Sequence, residues 1–169
     1  EEQRDYAETV ANSATALLTV LNDILDFSKM EAGKLNIEKH PFNMRELVED
    51  IGRLLNARAE AKGIELIVRC SAELPTIFDG DEIRIRQIIT NLTTNAIKFT
   101  KDGFVYISID CEPLTDKPNF YTLKIAICDT GIGIPKAKKN LIFEKFTQAD
   151  STITREFGGT GLGLAICSQ

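Results

Sequence analysis

Apolar residues recur at helical spacing along the first thirty residues of the chain. The stripe contains Val10, Leu17, Leu21 and Ile24, and neither Pro nor Gly interrupts it before Gly33. This pattern predicts one long helix that ends near Gly33. Because a lone helix buries such a stripe poorly, we expect it either to fold back on the rest of the chain or to pair with another copy.

Two further segments have the periodicity of amphipathic helices. Asn43 is a candidate N-cap, Glu46 three residues later completes a capping-box pattern, and Gly63 is a candidate stop. A third helix is predicted from about Glu82 to Phe99, where apolar residues again recur at helical spacing.

Strand patterns alternate with these helices. Residues 64–70 and 105–109 alternate apolar and polar side chains, and residues 121–128 are strongly apolar. The stretch from Leu74 to Gly80, which contains Pro75, is predicted to be a turn region. The order of elements predicts a fold of helices and strands packed in layers, with a long helix in front.

Composition and charge narrow the possible functions. Of the 169 residues, 43% are hydrophobic and 27% are charged, which is typical of a globular domain. The formal net charge of −5 argues against nucleic acid as the main partner. No apolar run is long enough to span a membrane and no signal peptide is recognisable, so we expect no direct membrane contact and a cytoplasmic location. Any membrane anchor would then belong to another part of a longer protein.

The four cysteines do not form a metal-binding or disulfide pattern. No CxxC pair is present, and a single histidine accompanies the cysteines. Cys70 and Cys128 lie in apolar strand-like runs, so we predict that both are small buried side chains in a reducing compartment.

The third predicted helix carries a polar stripe. Asn91, Asn95 and Lys98 are spaced four and three residues apart, which places them on one face. Asparagine is a poor residue for a helix interior, because its amide competes for backbone hydrogen bonds. Two interpretations stay open: a solvated face, or a row of oxygen ligands and a cation suited to Mg²⁺ and phosphate.

Two glycine-rich segments follow. Asp129 ends an apolar strand and is followed by Gly131 and Gly133, which would allow a ligand to approach the backbone closely, although an ordinary loop fits this pattern equally well. Residues 158–163 read GGTGLG and open a final helical pattern, where backbone amides could bind phosphate. The second segment is neither a Rossmann fingerprint nor a Walker loop, because it lacks the preceding strand and the Gly-Lys-Ser/Thr sequence.

Taken in order, these features resemble the sensor histidine kinases of two-component systems, in the style of hybrid kinases. The chain resembles that family in the N box (RQIITNLTTNAIKFT, 86–100), the G1 box (DTGIG, 129–133), the F box (FEKF, 143–146) and the G2 box (GGTGLGL, 158–164). Residues 21–33 resemble the end of the second dimerisation helix. The resemblance implies a partial dimerisation domain over 1–33 and a C-terminally truncated ATP-binding domain over 34–169. The expected fold of the second domain is the Bergerat-type fold, an α/β two-layer sandwich with a mixed sheet packed on helices.

The resemblance also implies roles for individual residues. Asn95 would coordinate Mg²⁺ bridging the ATP phosphates, Lys98 would meet a phosphate, and Asp129 would accept a hydrogen bond from the adenine amino group. Phe143 and Phe146 would anchor a lid over the nucleotide, although a core role fits them nearly as well. The ATP-binding set is Asn91, Asn95, Lys98, Phe99, Asp129, Gly131, Gly133, Ile134, Phe146, Gly159, Thr160, Gly161, Leu162 and Gly163.

The resemblance implies phosphoryl transfer to a histidine and relay to the aspartate of a response-regulator receiver domain. In related ATPases a glutamate one turn before the metal-binding asparagine activates water, whereas this chain has Asn91 there. The family's acceptor stretch, His-Glu-x-x-Thr-Pro-like, is absent, and the only histidine, His40, lies in His-Pro-Phe. We therefore expect the acceptor outside this chain and no catalytic residue within it. The resemblance of the N-terminal helix to a dimerisation helix implies a homodimer formed through that helix.

Three other functions stay open at this point. A true ATPase of the same fold is disfavoured because the water-activating glutamate is missing. A non-catalytic module that ATP merely switches is disfavoured because Asn95, Asp129 and the late glycines are present. A purely structural dimer arm would explain residues 1–30 but not residues 91–163.

Overall fold

The computed structural model describes residues 2–139, 141–143 and 163–167. Ile37–Lys136 form one compact unit, and the helix α1 (Glu2–Glu31) with the described residues after Lys136 forms the other. Two short 3-10 helices, Lys136–Lys138 and Leu141–Phe143, follow the last strand. No helix in the described part of the chain is long and apolar enough to cross a membrane.

A three-stranded sheet forms one layer of the unit Ile37–Lys136. Its strands are β2 (Glu65–Cys70), β4 (Phe104–Pro113) and β5 (Tyr121–Asp129), in the order β2-β4-β5. The β2–β4 pair is parallel and the β4–β5 pair is antiparallel, so the sheet is mixed. Alternate residues of the central strand β4, Val105, Ile107 and Ile109, are fully buried on the face that the helices cover.

Two helices form the second layer. They are α2 (Met44–Glu60) and α3 (Glu82–Phe99), and the sheet and helices share one apolar core. Gly52 of α2 allows the helix to lie close to the sheet, since a Cβ atom there would be 2.8 Å from a methyl carbon of Val68. The predicted two-layer α/β sandwich with a mixed sheet is confirmed.

Local end signals explain the helix boundaries. The Asn43 side chain accepts hydrogen bonds from the backbone N–H groups of Arg45 and Glu46, so it caps α2 as predicted. Gly63 has a φ of +70°, and the backbone there turns from α2 toward β2. The α3 limits agree with the predicted range from about Glu82 to Phe99.

A second sheet pairs two short strands whose association was not predicted from the sequence, although residues 34–41 had the pattern of a short strand or connector. The strand β1 (His40–Phe42) pairs antiparallel with β3 (Phe78–Gly80). The prediction of a turn region over the whole stretch from Leu74 to Gly80 was therefore wrong at its end. A strand of three residues carries too little periodicity to be recognised, and its partner lies far away in sequence.

The prediction for the cysteines was wrong at one position. Cys128 is exposed, whereas Cys70 is half-buried. In the β4–β5 register Cys128 pairs with Tyr106, on the face opposite to Val105 and Ile107. The apolar composition of residues 121–128 hid this alternation, because Ala126 and Cys128 lie on the outer face of the sheet.

Candidate functional site

The polar stripe of α3 lies between the core and the solvent. Asn91, Asn95 and Lys98 are all half-buried, whereas Ile89, Thr93, Ala96 and Ile97 point into the core. Asp81 caps the start of the helix by accepting a hydrogen bond from the backbone N–H of Arg84 at 3.0 Å. The stripe is therefore a fixed, partly desolvated surface and not a fully solvated face.

Asn91 carries a buried hydrogen-bond donor without a partner. Its side-chain Nδ2 is buried and makes no hydrogen bond within the described residues. A buried polar group without a partner costs free energy, so an orphan of this kind calls for an explanation. An acceptor supplied by a ligand, such as a phosphate oxygen, would satisfy this donor.

Lys98 places a positive charge at the end of the same stripe. Partial burial lowers the pKa of its ammonium below the ordinary value for lysine. The Lys98 ammonium also lies 5.0 Å from the centre of the Phe99 ring. Since burial disfavours the charged form, an anion bound next to Lys98 would raise this pKa again and be stabilised in return.

The end of β5 and the residues after it, 129–133, form a tight turn, which we call the Asp129 turn. One carboxylate oxygen, Oδ1, accepts a hydrogen bond from the backbone N–H of Gly131 at 2.9 Å. Within the described part of the chain, the other oxygen, Oδ2, accepts no hydrogen bond. Asp129 is exposed, so one of its oxygens holds the turn while the other is available to a ligand.

Thr130 fastens this turn to the loop before β4. Its hydroxyl donates to the carbonyl oxygen of Asp102 at 3.1 Å and accepts from the backbone N–H of Phe104 at 3.0 Å. Its own backbone N–H donates to the carbonyl of Phe104 at 3.2 Å. Sequence analysis missed Thr130, because its partners lie 26 and 28 residues earlier and no local pattern indicates them.

The same turn lies directly against the end of α3. The backbone N–H of Ile132 donates to the carbonyl of Phe99 at 3.3 Å. A Cβ atom on Gly131 would lie 2.5 Å from that carbonyl oxygen, so only glycine fits there. The structure thus brings together two of the three features predicted from the sequence, the polar stripe of α3 and the turn after Asp129.

The structure describes only some of the remaining predicted site residues. Gly133 has a φ of +67° and Ile134 is exposed. Phe143 is exposed in a 3-10 helix, and Gly163 is the first residue of a short helix, α4 (Gly163–Cys167). The other predicted site residues lie outside the described residues: Phe146, Gly159, Thr160, Gly161 and Leu162.

Comparison with known proteins identifies the class of domain to which this geometry belongs. A family model for the histidine kinase-, DNA gyrase B- and HSP90-like ATPases matches residues 80–169, which is more than half of the chain. The matched region contains α3, the Asp129 turn and the late glycines. The chain belongs to this family of ATPases.

Particular relatives extend the similarity to the first helix. The chain is 44% identical over 169 residues to hybrid signal transduction histidine kinase L of Dictyostelium discoideum, covering 100% of this chain and 10% of that protein. It is 44% identical over 167 residues to the signal transduction histidine-protein kinase BarA of Escherichia coli (strain K12), covering 99% of this chain and 18% of BarA. The chain thus spans less than a fifth of the length of these relatives.

A solved structure shows the same arrangement of elements. The crystal structure of full-length ShkA in complex with AMPPNP superposes with a TM-score of 0.78 at 34% sequence identity, covering 99% of this chain and 33% of ShkA. The predicted resemblance to hybrid-type sensor histidine kinases is confirmed, and the chain contains the ATP-binding catalytic domain of that type.

We predict that Gly131 and Gly133 respond differently to the same substitution. Gly131→Asn should lower the free energy of unfolding by about 1–3 kcal/mol, because the new side chain meets the Phe99 carbonyl. Gly133→Asn should change it by less than about 0.5 kcal/mol, because the space is open and Asn tolerates a positive φ. Urea unfolding followed by circular dichroism measures both values. Equal effects of the two substitutions would contradict this account of the turn.

Proposed function

We propose that this chain binds Mg-ATP and transfers the γ-phosphate to a histidine outside it, for relay to an aspartate of a response-regulator receiver domain. The observation that carries the proposal is the contact between the Asp129 turn and the last turn of α3. This contact brings the Asp129 turn against a helix that carries two amides and an ammonium, and among the described residues one oxygen of Asp129 accepts no hydrogen bond. Such a set of groups suits a ligand with a hydrogen-bond donor at one end and negative charge at the other.

The adenine would lie at the Asp129 end of the site. The free oxygen of Asp129 would accept a hydrogen bond from the exocyclic amino group, which guanine does not offer in the same place. Gly131 and Gly133 would let the base approach the backbone, and Phe99 and Ile134 would supply apolar contact. This arrangement would select ATP over GTP.

The phosphates would lie along the polar stripe of α3. The unpartnered Nδ2 of Asn91 would donate to a phosphate oxygen, and the partly buried Lys98 would supply a positive charge. The family resemblance implies that backbone N–H groups of the late glycine-rich segment would also donate hydrogen bonds to phosphate oxygens. These residues are Gly159, Thr160, Gly161, Leu162 and Gly163. Phe146 would hold that segment over the nucleotide.

The oxygen ligands that the protein and the nucleotide phosphates would offer suit a magnesium ion that binds together with the nucleotide. In the described residues no three His, Cys, Asp or Glu side chains are grouped so as to hold a metal ion. The amide oxygen of Asn95 would be the protein ligand, and the phosphates would supply most of the others, as is usual for Mg²⁺. A bound Mg²⁺ would neutralise charge on the transferring phosphoryl group.

The site is better suited to transfer than to hydrolysis. Hydrolysis needs a base that takes a proton from water, and the Asn91 amide cannot do so. Phosphoryl transfer depends mainly on alignment and charge neutralisation, which the stripe of α3 would provide. We therefore expect the nucleophile to arrive from outside this chain. His40 lies exposed in β1, outside the polar stripe and the Asp129 turn, and its imidazole lies 3.9 Å from Glu38.

The first helix supports a second part of the proposal, a homodimer. Its apolar side chains Val10, Leu17, Leu18, Leu21, Ile24 and Leu25 are all exposed. An exposed stripe of this length favours pairing with the same helix of another copy, as part of a helical bundle. Residues 1–33 would then be part of a dimerisation domain, and 34–169 the ATP-binding domain.

We predict that the chain binds AMPPNP in a magnesium-dependent manner. Calorimetric titration of the 169-residue chain should show tighter binding with Mg²⁺ than with EDTA, because Asn95 contributes through the metal. Asn95→Ala should remove most of that difference, whereas Asn56→Ala on the exposed face of α2 should leave it intact. Binding of the parent that is equally tight with and without the metal would contradict the role given to Asn95.

We predict that Asp129→Asn weakens ATP binding by about 1–3 kcal/mol, because the charge-assisted acceptor of the adenine amino group is lost. The preference for ATP over GTP should shrink in the same variant. The matched control is Asp116→Asn, which removes the same negative charge in the loop between β4 and β5. If Asp129→Asn bound ATP as well as the parent, adenine would have to be recognised elsewhere.

We predict phosphoryl transfer when an acceptor is supplied. The chain is incubated with radiolabelled ATP and a helical segment that carries the family's His-Glu-x-x-Thr-Pro-like stretch. Label should appear on that segment as an acid-labile phosphohistidine, and a His→Asn version of the segment should stay unlabelled. Rapid release of free phosphate without an acceptor would favour the ATPase alternative, and label on His40 would contradict its placement outside the reaction.

A further inference from the structure

The last turn of α3 is held by a lysine outside the site described so far. The ammonium of Lys62 donates to the carbonyl oxygens of Ile97 at 2.7 Å, Lys98 at 2.8 Å and Thr100 at 3.1 Å. A helix leaves its last carbonyls without backbone partners, and the negative end of its dipole lies there. A lysine ammonium has three N–H donors and a full positive charge, so it suits this position.

The neighbouring carbonyls of the same turn are also engaged. The carbonyl of Ala96 accepts from the backbone N–H of Thr100 and from its hydroxyl, the latter at 2.7 Å. The carbonyl of Phe99 accepts from the backbone N–H of Ile132 in the Asp129 turn. Lys62 therefore holds the carbonyls on both sides of Phe99, and so fixes the direction in which the Phe99 carbonyl points.

The backbone around Lys62 is itself anchored. Lys62 lies between the C-cap of α2, Ala61, and Gly63 with its positive φ. The N–H of Ile64 returns to the carbonyl of Ala59 at 3.0 Å, and the N–H of Glu65 bonds to the carbonyl of Gly103 at 3.1 Å. The α2–β2 turn is thus joined to the loop before β4, which also holds the hydroxyl of Thr130.

We propose that Lys62 is a positioning residue of the nucleotide site, acting through the end of α3 on the Asp129 turn. This inference rests on the proposed function, because it assigns Lys62 to the nucleotide site. The route runs from the Lys62 ammonium to the carbonyls beside Phe99, and from the Phe99 carbonyl to Ile132 and the tight contact at Gly131. Losing the ammonium would free both the backbone of Lys98 and the turn that presents Asp129.

A purely structural role makes a different prediction from a positioning role. A helix cap that only stabilises the fold would lower the free energy of unfolding and leave the affinity of the folded protein unchanged. A positioning residue changes the affinity of molecules that are fully folded. The two roles are therefore separated by measuring nucleotide affinity at a temperature far below the unfolding transition of every variant.

The test compares three substitutions in the 169-residue chain. Lys62→Met keeps the apolar stem and removes the donors, Lys62→Arg keeps donors and charge, and Lys124→Met is the matched loss of charge on the outer face of β5. The dissociation constant for Mg-AMPPNP is measured by calorimetry. We expect Lys62→Met to raise it about tenfold, and the other two variants to stay within about twofold of the parent.

A second readout follows the structural link directly. Hydrogen exchange of the Ile132 amide should become faster in Lys62→Met than in the parent, while amides in the centre of β4 stay protected. If Lys62→Met fails to fold, Lys62→Gln, which keeps a neutral donor, takes its place and should show a smaller change in the same direction.

The outcomes are distinct. Unchanged nucleotide affinity in folded Lys62→Met, while the parent still binds nucleotide, would overturn the positioning role whatever the exchange rate at Ile132. Weakening by Lys124→Met equal to that by Lys62→Met would overturn it as well, because charge alone would then explain the loss. A parent chain that binds no nucleotide would refute the proposed function itself, and this role of Lys62 with it.

Discussion

The carbonyl oxygen of Phe99 is the point on which the candidate site depends. It ends the helix that carries the amides and the ammonium, and it accepts the N–H of Ile132 from the turn that carries Asp129. The contact is close because Gly131 has no Cβ atom to oppose it. This backbone acceptor, together with the hydrogen bonds of Thr130, therefore holds a carboxylate next to a row of polar side chains that are separate in the sequence.

The contact at the Phe99 carbonyl depends on the position of α3, a helix that packs in the core on one face and presents polar groups on another. Its buried face includes Ile89, Ala96 and Ile97, which fix the helix against the sheet and α2. Its half-buried face carries the Asn91 Nδ2, which has no hydrogen-bond partner among the described residues, and a lysine whose pKa is lowered by burial. An anion bound at this face would accept from the Asn91 Nδ2 and would favour the charged form of Lys98.

The parts of this structure that depend on neighbouring residues could be predicted from the sequence. The helix limits follow from periodicity and from local end signals such as Asn43 and Gly63, and the polar stripe follows from helical spacing alone. The parts that depend on distant residues could not. The strand β3, the hydroxyl of Thr130 and the ammonium of Lys62 all find partners more than twenty residues away, and no local pattern records these contacts.

Under the proposed function, the preference for phosphoryl transfer over hydrolysis would come from one functional group on α3. Asn91 offers an amide where a carboxylate would be able to take a proton from water, and its Nδ2 is a donor in need of an acceptor. A donor at this position would stabilise phosphate oxygens but would not create a nucleophile. Under the proposed function, the site would hold the nucleotide intact until an acceptor histidine approaches from outside this chain.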